Sequence, residues 1–477
     1  MIPHGTPSAR AAAAAIGSQS PDRLATALFA ALGLAVASQA ALAWTFGQMP
    51  VATRDAWWAS SLLAVVLALP TAAIVGAVWT GRDRAVDWRL GTAVILAGML
   101  MRLPYFGAGP LLEDDHFRYL LDGAMVAQGA SPYVVAPEQV LEGLSALPPD
   151  VVAAGHQAIA AINFPTLRSI YPGGAQALFA LAHLIAPWSL DGLRAVIFAA
   201  EALTAVLIWR LLVSSGQSPL ALALYWCNPL LAFCLTGQAH IDAALAAPIL
   251  LALVATRQRA GLVAGLAIGF AVGVKLWPVL LAPLVARALW PDRRALARFA
   301  LALGATTLLL CGPLVWSSLT ANAGLTAYAG SWSINNTPFA WASYLFLQIF
   351  GSGTGEIILR ALVVGAAAVA SLAVALRRPD GLQGLIGRAA LLAAILFYLS
   401  PAQFPWYAVW FLPLAAASGA WPLSVAAIGL PIYYLFFPLA VAGLRDVHGY
   451  GLAALHVAPV ILVALLARRA TPQGAST

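Results

Sequence analysis

Runs of about twenty predominantly apolar residues recur along this chain, and that is the length an α-helix needs to cross the hydrocarbon core of a bilayer. Long candidates fall at 24–46, 57–79, 89–106, 193–213, 219–236, 297–316, 356–376, 422–440 and 451–467. Shorter ones follow at 243–256, 260–274, 277–290, 385–399 and 407–419. In lipid every backbone polar group must be satisfied within its own segment, so such runs are expected to be helical. The fold class expected is therefore all-α, a polytopic membrane protein of thirteen to fourteen transmembrane helices. Composition agrees: 62% of the 477 residues are hydrophobic and 9% are charged, too few to cover a soluble surface. A disordered chain, a nucleic-acid-binding domain and a disulfide scaffold are excluded on the same grounds. The three cysteines all lie in apolar runs and read as packing residues.

The basic residues orient the bundle. With the N-terminus inside, seventeen of the 25 Lys and Arg fall on the cytoplasmic side, among them Arg82, Arg84, Arg89, Arg287, Arg293, Arg294 and Arg298. Eight remain on the outer side: Arg54, Arg102, Arg118, Arg168, Arg194, Lys275, Arg360 and Arg445. This positive-inside bias accounts for the net charge of +7 without a nucleic-acid partner, and it places both termini in the cytoplasm of a multi-pass cell-membrane protein. The run 24–46 is long for a signal peptide, and no small-residue cleavage site follows it, so it reads as a retained first span. The Ala/Ser/Gly/Pro-rich tails 1–20 and 470–477 are expected to be disordered, leaving 21–469 as one transmembrane domain.

Chemistry is expected on the outer side. The longest non-spanning segment, 107–172, lies there and holds seven of the 18 acidic residues. Within it, Glu113-Asp114-Asp115-His116-Phe117-Arg118-Tyr119 opens a helical pattern. Phe117, Leu120, Leu121, Ala124, Met125 and Gln128 recur at spacings of three and four until Gly129. Such a helix is amphipathic and lies along the interface. An Asp at its start can cap free backbone N–H groups, but three adjacent carboxylates exceed what a cap requires. A second short apolar stretch, 175–187, has too few residues for a span and is expected to be juxtamembrane or re-entrant. Together the two helices would roof a site within 107–190 and set the acidic pair just above the hydrocarbon.

The acidic pair followed by Arg118-Tyr119, Asp122-Gly123, Gly129, Ser131-Pro132-Tyr133 and Tyr171-Pro172 resembles the GT-C superfamily of multispanning glycosyltransferases that use polyprenyl-phosphate sugars. The nearest resemblance is to bacterial polyprenyl-phosphate-mannose-dependent mannosyltransferases. A looser one is to GPI mannosyltransferases and lipid A aminoarabinose transferases. It covers roughly residues 100–185, with weaker agreement at Asn228-Pro229, His240-Ile241-Asp242, Lys275-Leu276-Trp277-Pro278 and Pro405-Trp406-Tyr407. Gly173 departs from the pattern, because a second proline often follows Tyr-Pro.

The resemblance implies inverting transfer of a hexose, most simply mannose, from a polyprenyl phosphate to a glycan or lipid-linked acceptor. The partners are then that donor, that acceptor and the membrane lipids. Such a reaction needs a base for the acceptor hydroxyl, cations for the departing phosphate and an apolar groove open to the bilayer. A carboxylate at the water–lipid boundary suits the first. The resemblance puts the base on Asp114 when aligned on Met125 and Gly129, and on Asp115 when aligned on Arg118-Tyr119. No cofactor is required, although a divalent metal at Asp114/Asp115 is conceivable; the sequence supplies no full ligand set for it. Candidates for the donor phosphate are Arg118, Lys275, Arg102 and Arg194. Each has a plainer reading, an i,i+3 or i,i+4 ion pair for Arg118 and snorkelling for the others. Candidates for sugar contacts are Tyr119, Tyr171, His240, Asp242, Trp332, Asn335, Gln403, Trp406 and Tyr407. The plainer readings there are interfacial anchoring for the aromatics and helix capping for His240 and Asp242. The competing function is a transporter or flippase of a polyprenyl-linked glycan. It needs polar groups near the bilayer midplane, and Glu201 is the main one in the spans.

Overall fold

A computed structural model describes residues 21–82, 88–320, 323–377 and 381–463; the expected disordered tails lie outside them. Among the described residues the chain consists of helices joined by loops, with no strand apart from one isolated bridge between Ile334 and Ala402. Among the described residues, eight helices are long and apolar enough to cross a membrane: Arg23–Phe46, Trp57–Gly81, Leu190–Ser214, Arg293–Ser317, Thr354–Leu376, Gly381–Leu399, Trp421–Val441 and Arg445–Val463. A ninth is counted if Pro219–Trp226 and Pro229–Gly237, bent by 45°, form one broken span. The chain is thus a multi-pass, all-α membrane protein.

The fourteen apolar runs do not all become long helices. Pro229 opens a helix whose free N–H groups are taken by the Asn228 side chain, and this splits the run 219–236. Proline has no N–H for an i→i−4 bond, and its ring favours a first turn. Pro405 and Pro413 likewise open Pro405–Trp410 and Leu412–Ser418 in place of one span over 407–419. The run 89–106 gives only the 13-residue helix Trp88–Leu100 and a short 3-10 turn at Leu103–Tyr105.

Three further apolar helices are short: Gly173–Ile185, Gly261–Val274 and Trp277–Leu289. Gly261–Val274 survives by contact rather than length. Gly261, Gly265, Gly269 and Gly273 fall on one face, and a Cβ at any of them would collide with Ala295, Phe299, Thr306 or Leu310 of the long helix Arg293–Ser317. Small residues every four positions let two helices approach closely, which is how helices associate in lipid.

Within 107–190 the two expected short helices form, Asp115–Ala127 and Gly173–Ile185. Asp115–Ala127 ends at Gln128, and Gly129 follows with φ +74°. It packs on Gly173–Ile185, with Gly123 close against the Phe179 backbone. Gly173 also explains its departure from proline, because its Cα faces the Leu310 backbone and leaves no room for a larger residue.

Candidate active site

The acidic pair sits where the roof helix begins. Asp114 is the residue before its first turn, yet its side chain makes no capping hydrogen bond. Its Oδ1 instead accepts from Asn163 Nδ2 at 2.9 Å, and its Oδ2 lies 3.5 Å from Arg54. Arg54 also reaches Glu113 at 3.4 Å, donates to the Leu112 carbonyl at 2.9 Å and stacks over Phe437. It comes from the loop before Trp57–Gly81, some sixty residues upstream of the acids it neutralises.

Asp115 faces the other way, into a group assembled from distant segments. Its Oδ2 lies 3.9 Å from His240 Nδ1, and about a third of its side chain (34%) is exposed. Burial and the neighbouring Asp114 carboxylate push Asp115 up to about 7, while Lys275 opposes this. Glu113, more deeply enclosed, is pushed up to about 8 by burial, with Arg54 pulling the other way. Carboxylates crowded together and partly withdrawn from water favour their neutral forms.

Lys275 leaves the helix Gly261–Val274 in extended conformation and meets Asp242 at 2.7 Å. Its ammonium lies 3.7 Å over the Tyr407 ring. Asp242 also accepts from Trp410 Nε1 at 3.0 Å, and Tyr407 shares a 2.8 Å hydroxyl contact with Tyr328. Trp406 stacks flat on His240 with centroids 3.8 Å apart. Tyr119 and Tyr171 line the roof side, edge to face at 5.0 Å, and Tyr119 stacks on Phe179. The structure thus brings Asp115, His240, Asp242, Lys275, Tyr119, Tyr171, Trp406 and Tyr407 together.

Other candidates are spent on the scaffold. Arg118 makes no ion pair with the acidic pair; it donates to the carbonyls of Leu167 (2.8 Å) and Phe164 (3.4 Å), tying the roof helix to loop 161–170. Arg102 is wholly buried and bonded to Glu201 at 2.5 Å and to the carbonyls of Gly98 and Trp226. Arg194 holds the carbonyls of Ala108, Gly109 and Gly237 along with Asp191. Neither extends to the interface, because local carbonyls and carboxylates hold both guanidinium groups in place, with Arg102 Nε left unpartnered. Asn335 donates to the Gln403 carbonyl and Gln403 to that of Tyr398, so they join loops 332–336 and 400–404. Trp332 packs on Phe164 across the mouth at 4.8 Å.

Arg54, Asn163, Tyr328 and Trp410 are the site residues that sequence reasoning missed. Only Arg54 carried a signal, as a basic residue expected on the outer side. Among the described residues, no group of three or more His, Cys, Asp or Glu side chains is placed to hold a metal ion. The cysteines are buried and free.

No curated protein and no solved structure matches the chain significantly. One family does: the model for "alpha-(1->6)-mannopyranosyltransferase, N-terminal domain" matches residues 24–291, a stretch that carries Arg54, the acidic pair, His240, Asp242 and Lys275. With more than half its length matched, the chain belongs to this family of GT-C type mannosyltransferases, and it is a membrane mannosyltransferase.

Proposed function

We propose that this mannosyltransferase takes mannose from a polyprenyl phosphate and passes it, with inversion, to a hydroxyl of a glycan or lipid-linked acceptor on the outer face of the cell membrane. Both termini are then cytoplasmic, in line with the basic-residue bias. The observation that carries the reading is the gathering of Asp115, Asp242 and Lys275, with an apolar groove that begins one turn further along the chain from Lys275. That groove, about 450 Å³, lies between the helices Trp277–Leu289 and Arg293–Ser317, and Val279, one turn past Lys275, contributes to its wall. A phosphate at Lys275 would leave its prenyl chain beside this groove.

In this reading Asp115 is the base. It is the less encumbered acid, since Asp114 is engaged by Asn163 and Arg54. A carboxylate pushed up to about 7 is a stronger base than an ordinary one while still ionised in a useful fraction near neutrality. Asp114, tied to Arg54, orients the start of the helix. Lys275 donates to Asp242 and keeps further N–H bonds for the departing phosphate oxygens. Arg102, Arg194 and Arg118 hold backbone and take no part in phosphate binding. Trp406, Tyr407, Tyr119 and Tyr171 supply faces for the sugars, and Trp332 stands at the mouth. Asn335 and Gln403 act by fixing the loops that carry them.

The transporter reading rested on Glu201. That carboxylate is sealed against Arg102 and Thr236 with neither member of the ion pair exposed, so it offers no path for a polar cargo. The test is transfer of labelled mannose from polyprenyl-phosphate mannose to a mannooligosaccharide by purified protein in lipid nanodiscs, wild type beside Asp115→Asn and Asp114→Asn. Full turnover by both variants would overturn the base assignment. Donor lipid crossing proteoliposomes without transfer would replace the enzyme reading with the transporter.

A further inference from the structure

We infer that His240 is the positioning residue for Asp115: its imidazole N–H closes onto the carboxylate in the substrate complex and aims the free oxygen at the acceptor hydroxyl. The inference rests on the reading of Asp115 as base and deepens it.

His240 is completely buried, and neither ring nitrogen has a hydrogen-bond partner. A buried polar group left unpaired is costly, and natural structures rarely keep one without a use. The backbone that delivers it is unusual as well. Phe233–Gly237 is a π-helical turn, and Ala239 follows with φ +64°, a left-handed conformation that residues bearing a Cβ seldom adopt. The turn is pinned from below by Thr236, which donates to Glu201 at 2.5 Å, and the His240 N–H is bonded to the Leu235 carbonyl at 3.1 Å. Strain of this kind gathers where a side chain must be held in one place.

What the ring is aimed at is the base. Nδ1 lies 3.9 Å from Asp115 Oδ2, about 1 Å beyond a hydrogen bond. The flat stack on Trp406, itself stacked on Phe404 at 4.5 Å, fixes the plane of the ring and leaves in-plane travel as its soft motion. Burial and the Lys275 charge hold His240 well below the usual imidazole range, so the ring is neutral, and in the tautomer protonated at Nδ1 it is a donor that carries no charge into the site. Asp115 otherwise faces Asp114 on its own helix, Asp242 and Lys275 from the bundle, and Arg54 from the first outer loop. None of these gives it a direct hydrogen bond.

The step balances without a proton on His240. As the acceptor oxygen bonds to C1 of the mannosyl group, the C1–O bond to phosphate breaks and its electron pair leaves with the polyprenyl phosphate. The hydroxyl proton passes to Asp115. His240 keeps its own hydrogen throughout.

The experiment uses the full chain in nanodiscs with polyprenyl-phosphate mannose and a mannooligosaccharide. His240→Met removes the N–H at similar bulk, and His240→Gln keeps an N–H donor. The Met variant should lose about 30- to 100-fold in kcat with KM for both substrates within about twofold, and the Gln variant should recover most of it. The acid limb of the kcat profile, which reads the substrate complex, should rise by about half a pH unit in Met alone, because a hydrogen bond to the ionised carboxylate has gone. Equal activity of Met and wild type, equal loss in Met and Gln, a loss confined to KM, or an unmoved acid limb each overturns the inference. Asp115→Asn run beside them separates the failures: if it turns over fully, the base reading itself falls. If it is inactive while His240→Met is normal, only the positioning role falls.

Discussion

Two ionic clusters occupy the same bundle, and they solve opposite problems. Arg102 and Glu201 are both sealed from solvent, 2.5 Å apart, with Thr236, Gly98 and Trp226 taking up further hydrogen-bonding capacity. Around Asp115, four carboxylates (Glu113, Asp114, Asp115 and Asp242) meet two cations, Arg54 and Lys275, and a neutral His240 whose nitrogens go unused. The first cluster is compensated within itself and can only hold the bundle together. The second is under-compensated and partly open, so it keeps bonding capacity for a substrate. Charge inside a membrane protein is therefore a poor pointer to function by itself; the incomplete pairing is what points there.

The comparison can be broken or sharpened by experiment. The largest effect is expected at Asp115→Asn, with transfer falling about 10³-fold or more while the folded protein persists. Because burial and Asp114 favour the neutral form of Asp115, its ionisation opposes folding, and the Asn variant should melt higher than wild type at pH 8. A lower melting point would mean that Asp115 is structural like Arg102. Next comes the sealed pair. Arg102→Met or Glu201→Gln alone should cost about 3–5 kcal/mol in unfolding titrations, whereas Arg102→Met with Glu201→Leu should regain most of it. Loss of transfer in that double variant at unchanged stability would move the pair into the functional class.

Lys275→Met should weaken transfer about 10- to 100-fold, chiefly through KM for the lipid donor, if the ammonium holds phosphate. The pH profile should show kcat/KM falling as pH drops through about 7, since the base must be ionised and Asp115 titrates there. A profile flat down to pH 5 would assign the base to a less perturbed group. The smallest effect is expected for Tyr407→Phe, which breaks only the contact with Tyr328 and leaves the ring over Lys275. About a two- to threefold change in transfer is expected.

Much of this was legible in one dimension. Apolar runs marked the spans, the spacing from Phe117 to Met125 marked the helix Asp115–Ala127, and the crowding of Glu113, Asp114 and Asp115 marked the candidate site. The breaks at Pro229 and in 407–419 were not read, because hydropathy averages over a proline and takes the run as whole. The candidates that ended in the scaffold share one cause. Residue type states what Arg118, Arg194, Asn335 or Gln403 can bond, whereas the nearest free carbonyl decides what each does bond.

The amino-acid order alone determined an all-helical membrane bundle with a long acidic segment between spans, because helix formation in lipid depends on a window of about twenty neighbours. It could not choose partners. Arg54 with Asp114, His240 with Asp115, Lys275 with Asp242 and Trp410 with Asp242 join segments from 33 to 168 positions apart. Such pairings are settled only when the helices pack, since a charge in a low-dielectric interior goes to whichever opposite charge or dipole the packing leaves within reach.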